Sequence, residues 1–255
     1  MCGARVSMVA KVGSDLFGPA TIRNFESQGI DASHVGIVEG VSSGVAPIFV
    51  EESGQNRILV VKGANDELKA DVDRAAPLLT TADCIVMQFE VPLPTVYHTI
   101  RWAKAKGIRS ILNPAPGQPV DLKEVSAVNY FIPNESEAEA IAGMPVRNVE
   151  EAKRCATSLL HQGLRRVIIT LGEKGALLAG PEILEVIPAY PVRTVDTTGA
   201  GDAFVGSFAV FLAEGAPERE ALARANLYAA LSTTKVGTQK SFLERTAFEE
   251  AWGKM

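Results

Sequence analysis

The chain has 255 residues, 47% hydrophobic and 22% charged, with a formal net charge of −5. This is the composition of a folded globular protein, and an acidic balance without a basic stripe argues against a nucleic-acid partner. The apolar runs are too short to span a bilayer, no leader sequence is visible, and three widely spaced cysteines argue against a disulfide framework. We therefore expect a cytoplasmic protein without a membrane partner.

Short β-rich segments alternate with helical ones along almost the whole chain. This rhythm predicts an α/β fold with a mostly parallel sheet and helices on both of its faces. In chain order the prediction gives a strand at 5–12, a helix at 15–29, strands at 43–50, 57–61 and 84–89, a helix at 92–107, a strand at 109–113, a strand, turn and helix at 129–143, a helix at 149–163 and a strand at 166–172.

The strands at 43–50 and 57–61 break this rhythm. They alternate apolar and polar residues and are joined by the polar stretch EESGQN, which predicts a β-hairpin over about 42–62. Pro47 cannot donate a ladder hydrogen bond, so its N side is expected at a sheet edge. The hairpin could project from the sheet as a lid. No linker or repeat is visible, and a single domain over 1–255 is predicted.

The stretch DTTGAGDAF (196–204) places an acidic residue where a glycine-rich turn becomes a helix. Apolar residues at helical spacing follow, so Asp202 lies in the cap or first turn of that helix. Gly199 and Gly201 allow a tight turn that leaves backbone N–H groups free, and a helix start of this kind binds anions. A carboxylate beside an anion site suits phosphoryl transfer, with the carboxylate accepting a hydroxyl proton. The alternative is that Asp202 only caps the helix.

DTTGAGDAFVGSF (196–208) resembles the C-terminal signature of the ribokinase-like (PfkB) carbohydrate kinases. Four further segments are similar to the ribokinase branch of that family and occur in the same order: NPAPG (113–117), PNESEAE (133–139), TLGEKG (170–175) and GTQKS (237–241). The resemblance extends from about residue 4 to about residue 245. It implies an ATP-dependent kinase that phosphorylates the primary hydroxyl of a sugar, D-ribose first among the candidates, to a 5-phosphate with Mg²⁺ and K⁺.

The resemblance also implies roles for individual residues. Asp202 would be the catalytic base, and the backbone N–H groups of Gly199, Ala200 and Gly201 would form the anion hole. The nucleotide would be bound by a further set of residues, namely Asn134, Thr170, Leu171, Gly172, Glu173, Lys174, Gly175, Gly201 and Asn226. Without the resemblance, Asn226 would be interpreted as a solvent-facing or core-satisfied amide.

Two kinds of cation site are implied. Asn134 and Glu137, three residues apart at a helix start, would organise Mg²⁺ and the phosphates, largely through water. The same pair also forms a good capping box, and both interpretations stay open. A monovalent cation, usually K⁺, would be bound by Asp196, Thr198, Ser232, Lys235, Gly237 and Ser241. The plain alternative for KVGTQKS is a turn-rich loop.

The sugar is expected to contact Asp202, Glu90 at the close of the predicted strand 84–89, and Ala46 and Ile48 on the hairpin. The chain departs from the family's pattern at its beginning. By resemblance, an N-terminal strand with a sugar-binding aspartate, further lid strands and a GGKGAN turn with its helix would be missing, and KGAN at 62–65 does not replace that turn. A misplaced start, a short isoform and a cloning boundary would each account for this.

Three functions follow as alternatives. The first is the sugar kinase, whose activity the missing segment would weaken. The second is a catalytically impaired nucleotide-binding remnant that acts by pairing with another protein. The third is another kinase of the family, for fructose, adenosine or another nucleoside. The resemblance also implies a homodimer through the hairpin, although part of the lid that would form it is missing here.

Overall fold

The computed structural model describes residues 2–50, 56–69 and 71–254. They form two compact units: a smaller unit of Arg5–Thr81 and Phe89–Thr99, and a larger unit that holds the rest. The prediction of one kinase domain over 1–255 concerns both units together and stays a prediction. Among the described residues, no helix combines the length and apolar character that crossing a bilayer requires.

The smaller unit contains a two-stranded parallel sheet and a short hairpin. Its elements are β1 (Ser7–Gly13), α1 (Phe17–Ser27), β2 (Asp31–Val38), β3 (Ile48–Val50), β4 (Asn56–Ile58), α2 (Asp71–Arg74) and α3 (Ala76–Leu79). β1 pairs with β2 in parallel, and β3 pairs with β4 antiparallel.

The predicted hairpin is confirmed, with regular strands shorter than expected and a separate bridge between Val45 and Val61. Most of its connecting loop, 51–55, lies outside the described residues. β2 is not predicted from the sequence. It contains Asp31, Ser33 and Gly36, and aspartate and glycine are uncommon in strands.

The larger unit is an α/β structure around a six-stranded sheet. Its elements are β5 (Cys84–Met87), α4 (Leu93–Lys106, with residues in both units), β6 (Arg109–Leu112), α5 (Leu122–Val125), β7 (Tyr130–Phe131), α6 (Glu135–Ala142), α7 (Val149–His161), β8 (Val167–Thr170), β9 (Ala176–Gly180), β10 (Ile183–Ile187), α8 (Ala200–Ala213), α9 (Glu218–Ser232) and α10 (Arg245–Trp252).

The strand order is β10-β9-β8-β7-β6-β5. Strands β5 to β8 are mutually parallel, while β9 and β10 continue the sheet antiparallel. The predicted α/β fold with a mostly parallel sheet is therefore confirmed. The sequence prediction misses β9, β10 and α10. For β9 the reason is that the strand is buried throughout and shows no alternation.

The parallel strands determine where ligands can approach. Their carboxyl ends lie at one edge of the sheet, which is where open α/β sheets bind ligands. The loop after β6 begins at Asn113, whose N–H donates to Met87 O at the end of β5 (3.0 Å). Asn134 after β7 bridges to Thr170 at the end of β8. The motifs NPAPG, PNESEAE and TLGEKG therefore all start at this edge.

Helix α8 contributes the aromatic part of the core. Phe204, Phe208 and Phe211 are buried, as their helical spacing predicts. The Phe208 ring meets Tyr130 edge-to-face with 5.2 Å between centroids. Phe211 stacks on Phe248 of α10, also at 5.2 Å. Helix α8 is therefore fixed against the sheet and the C-terminal helix, and its N-terminus has a defined position.

Replacing Phe208 with alanine should lower the free energy of unfolding by about 3–5 kcal/mol, because the ring is fully buried and its loss leaves a cavity. Urea titration followed by circular dichroism would measure this. Phe17→Ala is the matched control, since that ring is 60% exposed and should cost far less. Equal losses in the two variants would contradict this account of the core.

Candidate active site

The turn before α8 requires a glycine at one position. Gly199 has φ +82° and ψ 1°, the left-handed conformation, and is the N-cap of α8. Residues with a Cβ rarely adopt this conformation. A Cβ at Gly199 would also lie 3.0 Å from Thr238 Cγ2. The tight turn predicted from the sequence is confirmed, and its sharpness orients the start of the helix.

The start of α8 offers unpaired backbone donors. The N–H of Ala203 donates to Gly199 O at 2.8 Å and closes the first turn. Across the described part of the chain, the N–H groups of Gly199 and Gly201 have no acceptor. The N–H of Ala200 donates to Thr197 O at 3.1 Å. Two of the three expected anion-hole donors are therefore open, at the positive end of a helix dipole.

Asp202 lies in the first turn of α8 and is not its cap. The N-cap is Gly199, so the capping interpretation of Asp202 is wrong. The residue remains accessible to solvent. Even so, the surrounding protein removes enough water to raise the pKa of its carboxyl group. A carboxylate with a raised pKa is a better proton acceptor than an aspartate on an open surface.

A cavity of about 160 Å³ brings the motifs together. It is formed within the larger unit by the loops after β6, β7 and β8 and by the start of α8. Its lining residues are Asn113, Ala115, Ile132, Asn134, Glu137, Thr170, Gly199, Gly201, Asp202 and Val205. Sequence reasoning gave no role to Asn113, Ala115, Ile132 or Val205. For Asn113 and Ala115, the available signal was the position of NPAPG directly after a buried strand.

Asn134 and Glu137 form a complete capping box on α6. Asn134 Oδ1 accepts the Glu137 N–H, and Glu137 Oε2 accepts the Asn134 N–H, both at 2.8 Å. The structural interpretation of this pair is thus confirmed. Glu137 is only 8% exposed, although it lines the cavity. Burial raises its pKa, the bond from the Asn134 N–H opposes this, and the negative charge of Asp202 raises it further.

The donor set suits a magnesium ion that is held mainly through water and phosphate oxygens. The cavity offers carboxylate and amide oxygens, the ligand type that Mg²⁺ prefers. The described residues contain no group of three or more histidine, cysteine or acidic side chains that could enclose a metal. The two acidic residues of the cavity, Glu137 and Asp202, interact electrostatically, and a cation between them would relieve their repulsion.

The glycine-rich turn after β8 is held by its own backbone and by a neighbouring segment. The N–H of Lys174 donates to Leu171 O at 3.1 Å and closes the 3₁₀ turn Gly172–Lys174, and the N–H of Leu171 donates to Gly175 O at 2.8 Å across that turn. Gly175 has φ +98°, and a Cβ there would lie 2.1 Å from Ile187 O. The Leu171 side chain is 2% exposed and belongs to the core. Leu171 could therefore reach a nucleotide only through its backbone.

Thr170 and Asn226 are also expected to bind the nucleotide. Thr170 lines the cavity at the end of β8. Asn226 is buried on α9, and its Nδ2 donates to Ile187 O at 2.9 Å and to Pro188 O at 3.1 Å. The alternative of a core-satisfied amide is confirmed for Asn226. It holds the same segment against which Gly175 packs.

Asp196 connects two distant loops. Its Oδ1 accepts the N–H and the hydroxyl of Thr198 (2.9 and 2.7 Å), and its Oδ2 accepts the N–H of Gly237 at 2.9 Å. The bond from Gly237, followed by those from Thr198, lowers the pKa of Asp196. Thr233 O accepts the backbone N–H groups of Val195 and Asp196.

Three of the six expected cation-site residues, Asp196, Thr198 and Gly237, therefore lie side by side. Of the remaining three, Ser232 and Ser241 donate their hydroxyls to Ala229 O and Thr238 O. Lys235 is exposed.

Of the residues expected at the sugar, Asp202 belongs to the larger unit, while Glu90, Ala46 and Ile48 belong to the smaller unit. Strand β5 ends at Met87, so Glu90 does not close it and lies in a bend beyond it. The predicted strand 84–89 is too long because the apolar residue Phe89 extends the pattern beyond Met87, where the ladder ends. Ala46 is exposed just before β3, and Ile48 begins β3. The prediction for the Ile48 side chain lies outside the described residues.

Comparison with known proteins shows the family to which the chain belongs. The model of the pfkB family carbohydrate kinases matches residues 1–245. A deoxyribokinase of Salmonella typhi is 45% identical over 249 residues, which covers 97% of this chain and 81% of the relative. A ribokinase of Haemophilus influenzae is 35% identical, with 95% and 80% covered.

A solved structure of Arabidopsis thaliana ribokinase complexed with ribose and ATP has a TM-score of 0.89 at 26% identity. The likeness covers 96% of this chain and 81% of that one. With the family match extending over nearly the whole length, the chain belongs to the pfkB family and is a carbohydrate kinase of the ribokinase type.

Proposed function

We propose that this chain transfers the γ-phosphoryl group of ATP to the primary hydroxyl of a pentose. The observation that carries the proposal is the cavity in which Asp202 adjoins the free N–H groups at the start of α8. The Arabidopsis ribokinase structure, which is complexed with ribose and ATP, supports both substrates by similarity. D-Ribose is the acceptor expected from the sequence. The relative at 45% identity, a deoxyribokinase, makes 2-deoxy-D-ribose the second candidate.

In the proposed reaction, Asp202 accepts the proton of the sugar hydroxyl while that oxygen forms a bond to the γ-phosphorus. The bond between the γ-phosphorus and the bridging oxygen breaks, and ADP leaves with the electron pair. The N–H groups of Gly199 and Gly201 stabilise the negative charge on the transferred phosphoryl oxygens. The raised pKa of Asp202 favours its role as the base.

Glu137 and Asn134 would hold Mg²⁺ together with the phosphates. When bound, Mg²⁺ supplies positive charge that offsets the charge of the phosphate oxygens. The capping box serves this role because it fixes one oxygen of Glu137 on the Asn134 N–H, which sets the direction of the carboxylate.

The turn at 170–175 would line the nucleotide mainly through backbone groups, since its glycines leave no side chain in the way.

A monovalent cation such as K⁺ would bind where Asp196 joins the loops before α8 and after α9. Asp196 already orders Thr198 and Gly237, and Thr198 directly precedes the anion-hole glycine Gly199. A cation at this point would therefore stabilise the turn that presents the N–H donors. Ser232, Lys235 and Ser241 would complete the site mainly through backbone carbonyls.

The proposals for the sugar site and for assembly rest on the resemblance. Glu90, Ala46 and Ile48 are proposed to contact the sugar, and pairing of two chains through the hairpin is proposed as the assembly. The alternative of a catalytically impaired remnant is not favoured, because relatives named as kinases match 95–97% of the chain. Asp202, the anion-hole glycines and the Asn134–Glu137 pair are all present in one cavity.

Asp202→Asn should lower kcat by about 10²–10⁴-fold, because the amide cannot accept the hydroxyl proton. ATP affinity, measured by calorimetry, should stay close to that of the unchanged protein. Asp121→Asn is the matched control: it makes the same chemical change at an exposed N-cap where asparagine caps equally well. Near-normal turnover in Asp202→Asn would remove this residue from the role of base.

A panel of acceptors tests the substrate class. We expect ATP-dependent ADP release with D-ribose and 2-deoxy-D-ribose, and little with D-fructose or adenosine, because the matched segments are those of the ribokinase branch. The ratio of kcat/KM for the two pentoses decides which is preferred. Turnover confined to fructose or adenosine would contradict the assignment to pentoses.

Replacing K⁺ with Na⁺ at constant ionic strength should lower kcat if a monovalent cation supports the anion hole. Asp196→Ala should lower kcat in KCl and abolish the difference between the two salts, because three hydrogen bonds that order the loops are lost. Asp121→Asn should retain the difference. Equal rates in the two salts for the unchanged protein would count against the cation site.

A further inference from the structure

The loop after β6, residues 113–117 (NPAPG), has no role in the function proposed above. Asn113 and Ala115 line the cavity, whereas Gly117 does not. The backbone of the loop is anchored at its start: the Asn113 N–H donates to Met87 O at 3.0 Å, and the Ala115 N–H donates to Asn113 O at 2.9 Å. The loop therefore has a fixed position relative to the carboxyl end of β5.

The Asn113 side chain holds the entry to α6. Its Nδ2 donates to Ile132 O at 2.8 Å. Ile132 follows β7 and stands two residues before Asn134, the N-cap of α6. Since a carbonyl oxygen only accepts hydrogen bonds, the nitrogen of the amide must be on the Ile132 side. This bond therefore links the loop to the residues that begin α6.

Gly117 contacts the first turn of the same helix. A Cβ at Gly117 would lie 2.9 Å from Glu137 Cα and 3.3 Å from both Glu137 Cγ and Ala140 Cβ. Real Cβ atoms do not approach a backbone carbon so closely, and a backbone carbon cannot rotate away. Any larger residue at 117 would displace the turn that carries Glu137. The loop and α6 can approach this closely only because residue 117 has no side chain.

We propose that the 113–117 loop is a positioning element for Glu137, with Asn113 fixing the entry to α6 and Gly117 allowing the loop to lie against its first turn. The inference rests on the proposed function, in which Glu137 holds Mg²⁺ and the phosphates. Asn113 and Gly117 are positioning residues, because they act through α6. The two contacts bracket Glu137, one before the helix and one directly on it.

The test compares Gly117→Ala with Gly206→Ala. Gly206 is a good control because it is exposed on α8 and has nothing within 4 Å of an added Cβ. In Gly117→Ala, the Mg²⁺ concentration for half-maximal activity should rise by about 10-fold or more, the scale seen when residues behind a metal ligand are changed. The KM for the sugar should stay unchanged. If Gly117→Ala only lowered the fraction of folded protein, the apparent kcat would fall and the Mg²⁺ concentration for half-maximal activity would not change.

Amide hydrogen exchange supplies a second readout that needs no activity. The Glu137 N–H, which donates to Asn134 Oδ1, should exchange faster in Gly117→Ala than in Gly206→Ala. Asn113→Ala, which removes the bond to Ile132 O and adds no bulk, should shift both measurements in the same direction. Asn113→Ala also provides the test if Gly117→Ala does not fold.

The proposal requires both a higher Mg²⁺ concentration for half-maximal activity and faster exchange of the Glu137 N–H. Unchanged exchange would overturn it even if kinase activity fell. Faster exchange with an unchanged Mg²⁺ dependence would also overturn it, because the loop would then stabilise α6 without affecting Mg²⁺ binding. A chain without any kinase activity would contradict the proposed function, whereas unchanged exchange of the Glu137 N–H would by itself overturn the positioning role of the loop.

Discussion

The left-handed turn at Gly199 is the constraint on which the candidate site depends. It lets the chain reverse sharply into α8, so that unpaired N–H groups and Asp202 belong to the same short segment. A side chain at this position would meet both an unfavourable φ and Thr238. The aromatic core beneath α8 then holds the helix in place, and the donors keep a fixed geometry. Fixed donors need no rearrangement when charge develops on a phosphoryl group, which is why such a turn suits transfer chemistry.

The parallel sheet supplies the remaining wall of the cavity. Because β6, β7 and β8 run in the same direction, the loops after them meet at one edge and surround the start of α8. This brings Glu137 close enough to Asp202 for their charges to interact. The repulsion and the burial of Glu137 both disfavour its charged form. The capping bond from the Asn134 N–H opposes these effects, so one pair of residues stabilises a helix and orients a carboxylate that lines the cavity.

Hydrogen bonds between loops distant in sequence complete the arrangement. Asp196 links the segment before Gly199 to Gly237, and Asn226 holds the segment on which Gly175 packs. Asn113 holds Ile132, two residues before the α6 cap. Each of these polar side chains satisfies backbone groups that would otherwise lose hydrogen bonds on burial. The loops at the functional edge are thereby tied to a rigid scaffold. This explains how irregular segments can still present their groups at reproducible positions.

The sequence alone was sufficient to predict the fold class, the aromatic face of α8, the glycine turn and the place of Asp202 at the start of that helix, because each has a local period or a compact motif. It could not separate capping from chemistry: the structure excludes Asp202 as the cap and confirms the cap at Asn134. It also contained no recognised signal for β2, β9 and β10, or for Ile132 and Val205 as cavity residues. These features depend on partners elsewhere in the chain: Ile132 O, for example, accepts a hydrogen bond from Asn113 Nδ2. Local patterns reflect intrinsic preferences, whereas long-range contacts exist only once the sheet has brought the segments together.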